Sequence, residues 1–309
     1  MLSPIRSLCF NDDHETFTIV LPSQYRVFKC DPFGMIFSRE LEDLSLWALA
    51  TFDGYRFLAI TGSPSAASFN TQCIRVFDHK TGTTVFDHAF EDHILNIRLG
   101  DDLALCCFHC YIQGVCISMG QILFKVPFGA NVHVPMAISP DSKSMITPGP
   151  NSNEIAHFWG LKTSINRQVN KVADEAVAFV QFSRDGKMYA TIPFVSKSIK
   201  IWDSTQKLEI VELVSDGIVQ SIDFTEDNKT IATVSSSGQV RVYTISTFAD
   251  DPIQPNAVFD LSSHVIMPRI IWLDASTLCV ISLTGDLYRI PIQGNSDSYE
   301  TTTFLKRGE

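Results

Sequence analysis

The sequence predicts an all-β fold, a seven-bladed β-propeller, because one strand-and-turn unit occurs twice in succession and looser versions of it fill the rest of the chain. The first clear copy reads Phe182-Ser183-Arg184-Asp185-Gly186-Lys187, then Tyr189-Ala190-Thr191, and closes on Ile199-Lys200-Ile201-Trp202-Asp203. Phe224 follows Phe182 by 42 residues, and Asp227, Lys229 and Ala232-Thr233 repeat Asp185, Lys187 and Ala190-Thr191. Val240-Arg241-Val242-Tyr243 then stands where Ile199 to Trp202 stood. Aspartate with glycine or asparagine supplies the turn, and alternating β-branched or aromatic residues supply strands with a buried face. A period slightly above 40 residues with a Trp-Asp ending is that of a WD-repeat-type blade, which cannot bury both its faces alone.

Taken in order, the chain offers seven such units. Unit one has Ser7 to Phe10, the turn Asn11-Asp12-Asp13, Phe17 to Leu21, Tyr25 to Phe28 and Met35 to Arg39, which is already four strands. Unit two begins near Leu46, turns at Asp53-Gly54, continues Phe57-Leu58-Ala59 and reaches Ile74-Arg75-Val76-Phe77-Asp78. Unit three has Ile94 to Leu99, a turn at Gly100-Asp101-Asp102, Leu103 to Phe108 and Val115-Cys116-Ile117. Unit four carries Ala137-Ile138-Ser139-Pro140-Asp141-Ser142-Lys143, another copy of the Phe182 turn, and then Ile155 to Trp159. The two clear copies are units five and six. Unit seven has Ile270 to Asp274, Leu278 to Leu283, Gly285 to Ile290 and Tyr299 to Leu305 as an outer strand. Because unit one owns four strands, the ring is expected to close without one terminus lending a strand to the other. One domain is expected over residues 1–309.

Composition bounds the function. A hydrophobic content of 45% with 19% charged residues is that of a packed chain. The formal charge of −10 argues against nucleic acid, whose binding rests on lysine and arginine at phosphates. No apolar run approaches the roughly 18 residues of a membrane span, and no signal-peptide core is present at the start, so a cytoplasmic, reduced location is expected. Cys106, Cys107, Cys110 and Cys116 include a Cys-x-x-Cys spacing, but along strands their side chains alternate between faces. They are read as packing residues rather than a metal centre, Cys106 and Cys110 sharing a face with Phe108. No nucleophile elbow, phosphate-cradling glycine loop or dinucleotide fingerprint appears, so no cofactor, no metal and no enzymatic activity is expected.

The stretch Tyr25-Arg26-Val27-Phe28-Lys29-Cys30-Asp31-Pro32-Phe33, with Phe37-Ser38-Arg39-Glu40-Leu41 after it, resembles the opening blade of the PROPPINs. Those are seven-bladed propellers that bind phosphoinositides in autophagy and endosomal traffic. The resemblance continues through Ile74 to Asp78, Ala137 to Ser142, Pro148-Gly149-Pro150 and Ile155 to Phe158, and so covers nearly the whole chain. It implies a non-catalytic scaffold, a monomer, whose partners are proteins of the autophagy or membrane-traffic machinery, peripheral on endosomal or autophagic membranes.

PROPPINs carry Arg-Arg-Gly after blade five, the arginines serving two phosphate sites. Here residues 207–217 hold no arginine and a local charge of −2. Each charge-assisted hydrogen bond contributes about 1.5 to 3 kcal/mol, so phosphoinositide binding is expected to be weakened or lost. Ser221, Ser235 and Ser236 match the family's supporting serines, and Arg241 falls where the family has a site histidine. A rearranged site around Arg241 is the alternative, against a reading of Arg241 as an exposed strand residue like Arg26, Arg75 and Lys200. A generic WD-repeat adaptor is a further alternative. Arginines placed at Leu213 and Val214, with a glycine at Ser215, are expected to create lipid binding. The link 246–256 carries two acids and reads as an ordinary polar connection rather than the family's membrane-inserting loop. In blade two, Phe69 is offered as an aromatic anchor for a protein partner, the competing reading being that it folds back onto its own blade.

Overall fold

Each of the seven units folds into a four-stranded antiparallel sheet whose strands follow chain order, so that every blade is a simple meander. The blades occupy 7–40, 49–89, 96–127, 137–171, 177–214, 219–260 and 269–303. The computed structural model describes residues 5–22, 24–40, 49–62, 69–127, 135–149, 151, 154–171, 176–195, 197–246, 251–261, 265–292 and 299–305, and no helix occurs among them. The first strand of each blade lies at the channel and the fourth at the rim. Among the described residues no strand is shared between the two ends of the chain: the first sheet is completed by Gly34–Glu40 and the last by Glu300–Thr303.

The turn read from the sequence is held by the same bonds wherever it recurs. In blades four, five and six the hydroxyl of Ser139, Ser183 or Thr225 donates to the carboxylate of Asp141, Asp185 or Asp227 at 2.7, 2.8 and 2.8 Å. That carboxylate oxygen also accepts the backbone N–H of Lys143, Lys187 or Lys229 at 3.1, 3.0 and 3.0 Å. The motif is therefore a self-contained hydrogen-bonded turn, which is why a local pattern of Ser or Thr, Asp and Lys identifies it.

Packing explains why seven units are needed. The apolar core divides into seven clusters, each filling the space between two neighbouring blades; Phe224, Ile231 and Tyr243 of blade six, for example, pack with Val211 and Leu213 of blade five. The seam between blades seven and one is built from Phe17, Phe28 and Ile19 against Ile281, Leu287 and Phe304. Phe17 stacks on Phe28 at 5.1 Å between ring centroids, and Phe304 sits 5.1 Å from Phe17. Arg289 adds an ion pair to Asp31 across the same seam at 2.7 Å.

Two expectations are corrected here. Phe69 is only 4% exposed and fills the seam between blades one and two with Val20, Tyr25, Leu58 and Ile60, under the Arg75 guanidinium at 4.9 Å. It cannot serve as an exposed anchor. The chain at Phe69 crosses so close over Gly62 that an added Cβ would meet the Phe69 carbonyl oxygen at 1.7 Å, so only glycine fits beneath it. Cys110 lies exposed in the turn after Phe108 and does not share the core with Cys106.

The seam between blades one and two also holds a titrating group. His79 lies against Phe37 at 4.9 Å and Tyr25 at 5.5 Å, its ring within 3.3 Å of the Tyr25 hydroxyl. Burial, with the Arg39 charge adding to it, pushes its pKa from 6.5 down to about 4. The unfolded chain then takes up this proton first, so the stability contributed by neutral His79 is full above 6.5 and is lost as pH falls toward 4. Thermal melts should show a drop between about pH 7.5 and about pH 5 that His79→Gln reduces; an unchanged slope would exclude His79 as its source.

Candidate functional site

The residues that the sequence offers for lipid binding sit on blade six, and the sheet register decides which of them can act together. Arg241 lies opposite Thr233, and Thr233 opposite Ile222. Ile222, Ile231 and Tyr243 pack on Leu213 and Val211, so this face of the sheet looks at blade five. Ser235 pairs with Val219 and joins the same face. Ser221 lies on the other face, where its hydroxyl accepts the N–H of Ile270 from blade seven at 3.3 Å. Ser236 is in the turn, exposed, with its N–H bonded to the Ile218 carbonyl at 2.8 Å. The four residues are thus divided: Arg241 and Ser235 face blade five, Ser221 faces blade seven and Ser236 stays at the turn.

Arg241 is not an exposed strand residue. At 8% exposure it donates through Nε to Gln239 Oε1 at 2.8 Å and through Nη2 to Asp216 Oδ2. Its counterparts Arg75 and Lys200 pair outward instead, with Asp87 at 2.7 Å and Glu209 at 2.8 Å on the outer strands of their own blades. The difference arises because Asp216 belongs to the connection between blades five and six and reaches into the seam, where a carboxylate cancels the guanidinium charge and occupies half of its fork. Asp216 is the residue the sequence reading missed as a partner. The signal available was its negative charge in a stretch where the family carries arginines.

The rest of that stretch is consumed by packing. Leu213 is fully buried in the seam between blades five and six, and the Val214 carbonyl accepts the Tyr243 hydroxyl at 2.7 Å. Ser215 is 2% exposed, with its N–H on the Lys197 carbonyl at 2.6 Å. Asp216, by contrast, keeps an exposed side chain. An arginine at Leu213 would therefore enter the core, which corrects the graft position expected from the sequence. The link after blade six's third strand lies along the outer edge of blade five: Ile253 N–H donates to the Glu212 carbonyl at 2.8 Å, and Val214 N–H to the Ile253 carbonyl at 3.1 Å. This covers an otherwise unpaired strand edge, and Ile253 packs into the seam. Phe248 lies outside the described residues.

A second polar group, not foreseen from the sequence, ties blades five, six and seven together near the channel. Arg184, from the blade-five turn, donates to Asp223 at 2.9 Å and to the Trp272 carbonyl at 2.7 Å, while Asp223 accepts the Trp272 N–H at 2.8 Å. Burial lowers the pKa of the adjacent His14, against the pull of Asp223. Cys106 and Cys107 point into different seams, the first toward blade two and the second toward blade four, as strand alternation requires. Burial pushes the Cys107 thiol up to about 12 and that of Cys106 higher still. Cys116 donates to Asp102 at 3.1 Å. Among the described residues no three His, Cys, Asp or Glu side chains converge as a metal site, and no helix is long and apolar enough to cross a membrane.

No protein-family model matches the chain. Autophagy-related protein 18 of Yarrowia lipolytica is 20% identical over 181 residues, 57% of this chain and 45% of that protein, so the match spans under half of the relative's length. Among solved structures, Hsv2 of Kluyveromyces lactis superposes with a TM-score of 0.81 at 13% identity, over 97% of both chains. KlAtg21, in its complex with the coiled coil of AgAtg16, superposes with a TM-score of 0.82 at 16% identity, over 99% of this chain and 100% of that one. At such identities the structural likeness is one of fold. Within this propeller the face of blade six turned toward blade five carries a neutralised arginine, and the connection that faces it carries an acid.

Proposed function

We propose that this chain is a non-catalytic propeller scaffold of the autophagy or membrane-traffic machinery whose phosphoinositide binding is weakened or lost. One observation carries the second half of that reading: Arg241, the cation available on the blade-six face toward blade five, is already paired with Asp216 and Gln239. A phosphate would have to displace a carboxylate held on an arginine that is 8% exposed. It would also meet Asp216 itself. Support for the first half comes from the similar proteins, one of which is named as autophagy-related and another of which was solved with a coiled coil. A coiled-coil segment of an autophagy protein is therefore the partner type to test. With Phe69 buried, the exposed apolar side chains available on blade three are Met119 and Ile122.

Liposome flotation tests the lipid half. Wild-type protein should remain with the unbound fraction on phosphatidylinositol 3-phosphate vesicles at physiological salt. Tight flotation that Arg241→Glu abolishes would replace this reading with an active, rearranged site. Capture by an immobilised coiled coil of the Atg16 type tests the scaffold half, and failure of a panel of autophagy partners to bind would leave a generic propeller adaptor.

A further inference from the structure

Between blades four and five, on the face that carries their turns, lies a cleft of about 450 Å³. Its size falls in the range of small-ligand sites. His157, from the third strand of blade four, lines it and is 5% exposed, yet neither ring nitrogen has a hydrogen-bond partner among the described residues. Both nitrogens are closed to the cleft, so the ring serves as part of its wall. Trp159, two residues on and 38% exposed, presents its indole edge-on to that ring at 5.8 Å and forms part of the wall.

The opposite wall holds a second unexplained side chain. Lys207 closes the turn between the third and fourth strands of blade five with φ +62, its N–H on the Asp203 carbonyl at 3.0 Å. In blades two and three the same turn, with N–H to carbonyl distances of 2.9 Å, has Gly82 at φ +72 and Gly120 at φ +65. Left-handed backbone favours glycine, so a lysine here is held in a conformation its sibling blades give to glycine. Lys207 lines the cleft, and burial pushes its pKa down to about 8, which leaves it charged at neutral pH.

We infer that this cleft binds a carboxylate carried on a flat apolar body, with Lys207 holding the carboxylate and Trp159 the body. A single negative charge is favoured over a phosphate because Asp141 and Asp185 also line the cleft. Their exposed partners Lys143 and Lys187, at 3.6 and 3.5 Å, neutralise them only in part, so a dianion meets repulsion that a monoanion largely escapes. The same chemistry is offered by an acidic residue beside an aromatic one in a partner peptide and by a free aryl-alkyl acid. This inference stands apart from the lipid reading, since it uses a different seam.

Titration calorimetry and ligand-observed NMR with hydrocinnamate, hydrocinnamide, phenyl phosphate and N-acetyl-Phe-Asp-amide test it. Hydrocinnamate or the peptide should bind saturably, the acid about tenfold more tightly than its neutral amide and more tightly than phenyl phosphate. Tighter binding of the peptide assigns the carboxylate to a protein partner, and tighter binding of hydrocinnamate to a small molecule. Lys207→Gly should melt at a higher temperature than the wild type while losing about tenfold in affinity, a combination that a purely structural lysine would not give. His157→Phe, which keeps the ring packing, should leave the affinity unchanged without loss of stability, because its nitrogens are closed to the cleft. Absence of saturable binding by either carboxylate, equal affinity for acid and amide, or unchanged affinity in Lys207→Gly would overturn the inference.

Discussion

Phe304→Ala is expected to lower the unfolding free energy by about 3 to 5 kcal/mol, read as a shift of the urea midpoint at unchanged slope. The reason lies in how the ring closes. Blade one and blade seven each own four strands, so no hydrogen-bonded ladder crosses their seam, and closure rests on side chains. Phe304 contributes a ring 5.1 Å from Phe17 and 5.6 Å from Phe28, and truncating it leaves a cavity between rigid sheets that cannot collapse to fill it. Phe304→Leu should recover more than half of the loss. A cost below about 1 kcal/mol for the alanine variant would mean that the seam is held by its other contacts, of which the Arg289 to Asp31 ion pair is the first to examine.

The second large effect concerns lipid recognition. Asp216→Arg is expected to raise affinity for phosphatidylinositol 3-phosphate vesicles by about a hundredfold, with binding that weakens steeply as salt is added. The substitution changes the local charge by two, frees Arg241 from its carboxylate and supplies a second guanidinium from an exposed position, so two planar forks face one phosphate. Leu213→Arg is expected to behave in the opposite way. It forces a charge into a fully buried site between blades five and six and should cost several kcal/mol of stability without creating lipid binding. A folded Asp216→Arg variant that still ignores these vesicles would show that the seam has lost the shape of a phosphate site, and that the resemblance to PROPPINs extends to architecture without extending to lipid recognition.

What the sequence determined by itself is the repeat and everything that depends on local chemistry. Phe182 and Phe224 mark equivalent strands because side chains alternate along a strand, and the Ser183, Asp185 and Lys187 pattern marks a turn because its bonds close within six residues. The same locality explains why the first unit could be read as owning four strands. What only the tertiary structure decided depends on residues brought from different blades. Arg241 looked equivalent to Arg75 and Lys200 because strand position alone was legible, whereas its pairing with Asp216 spans the seam between two blades. Phe69 looked exposed because its neighbours in sequence are small and polar, yet the apolar wall it joins is formed jointly by blades one and two. Lys207 and His157 belong to different blades and share no local pattern, and they line one cleft only because the ring sets one blade beside the next. In a propeller the blade is a local structure and the seam is not, so the sequence carries the former directly and the seams, where charges are paired and clefts are lined, emerge only on assembly.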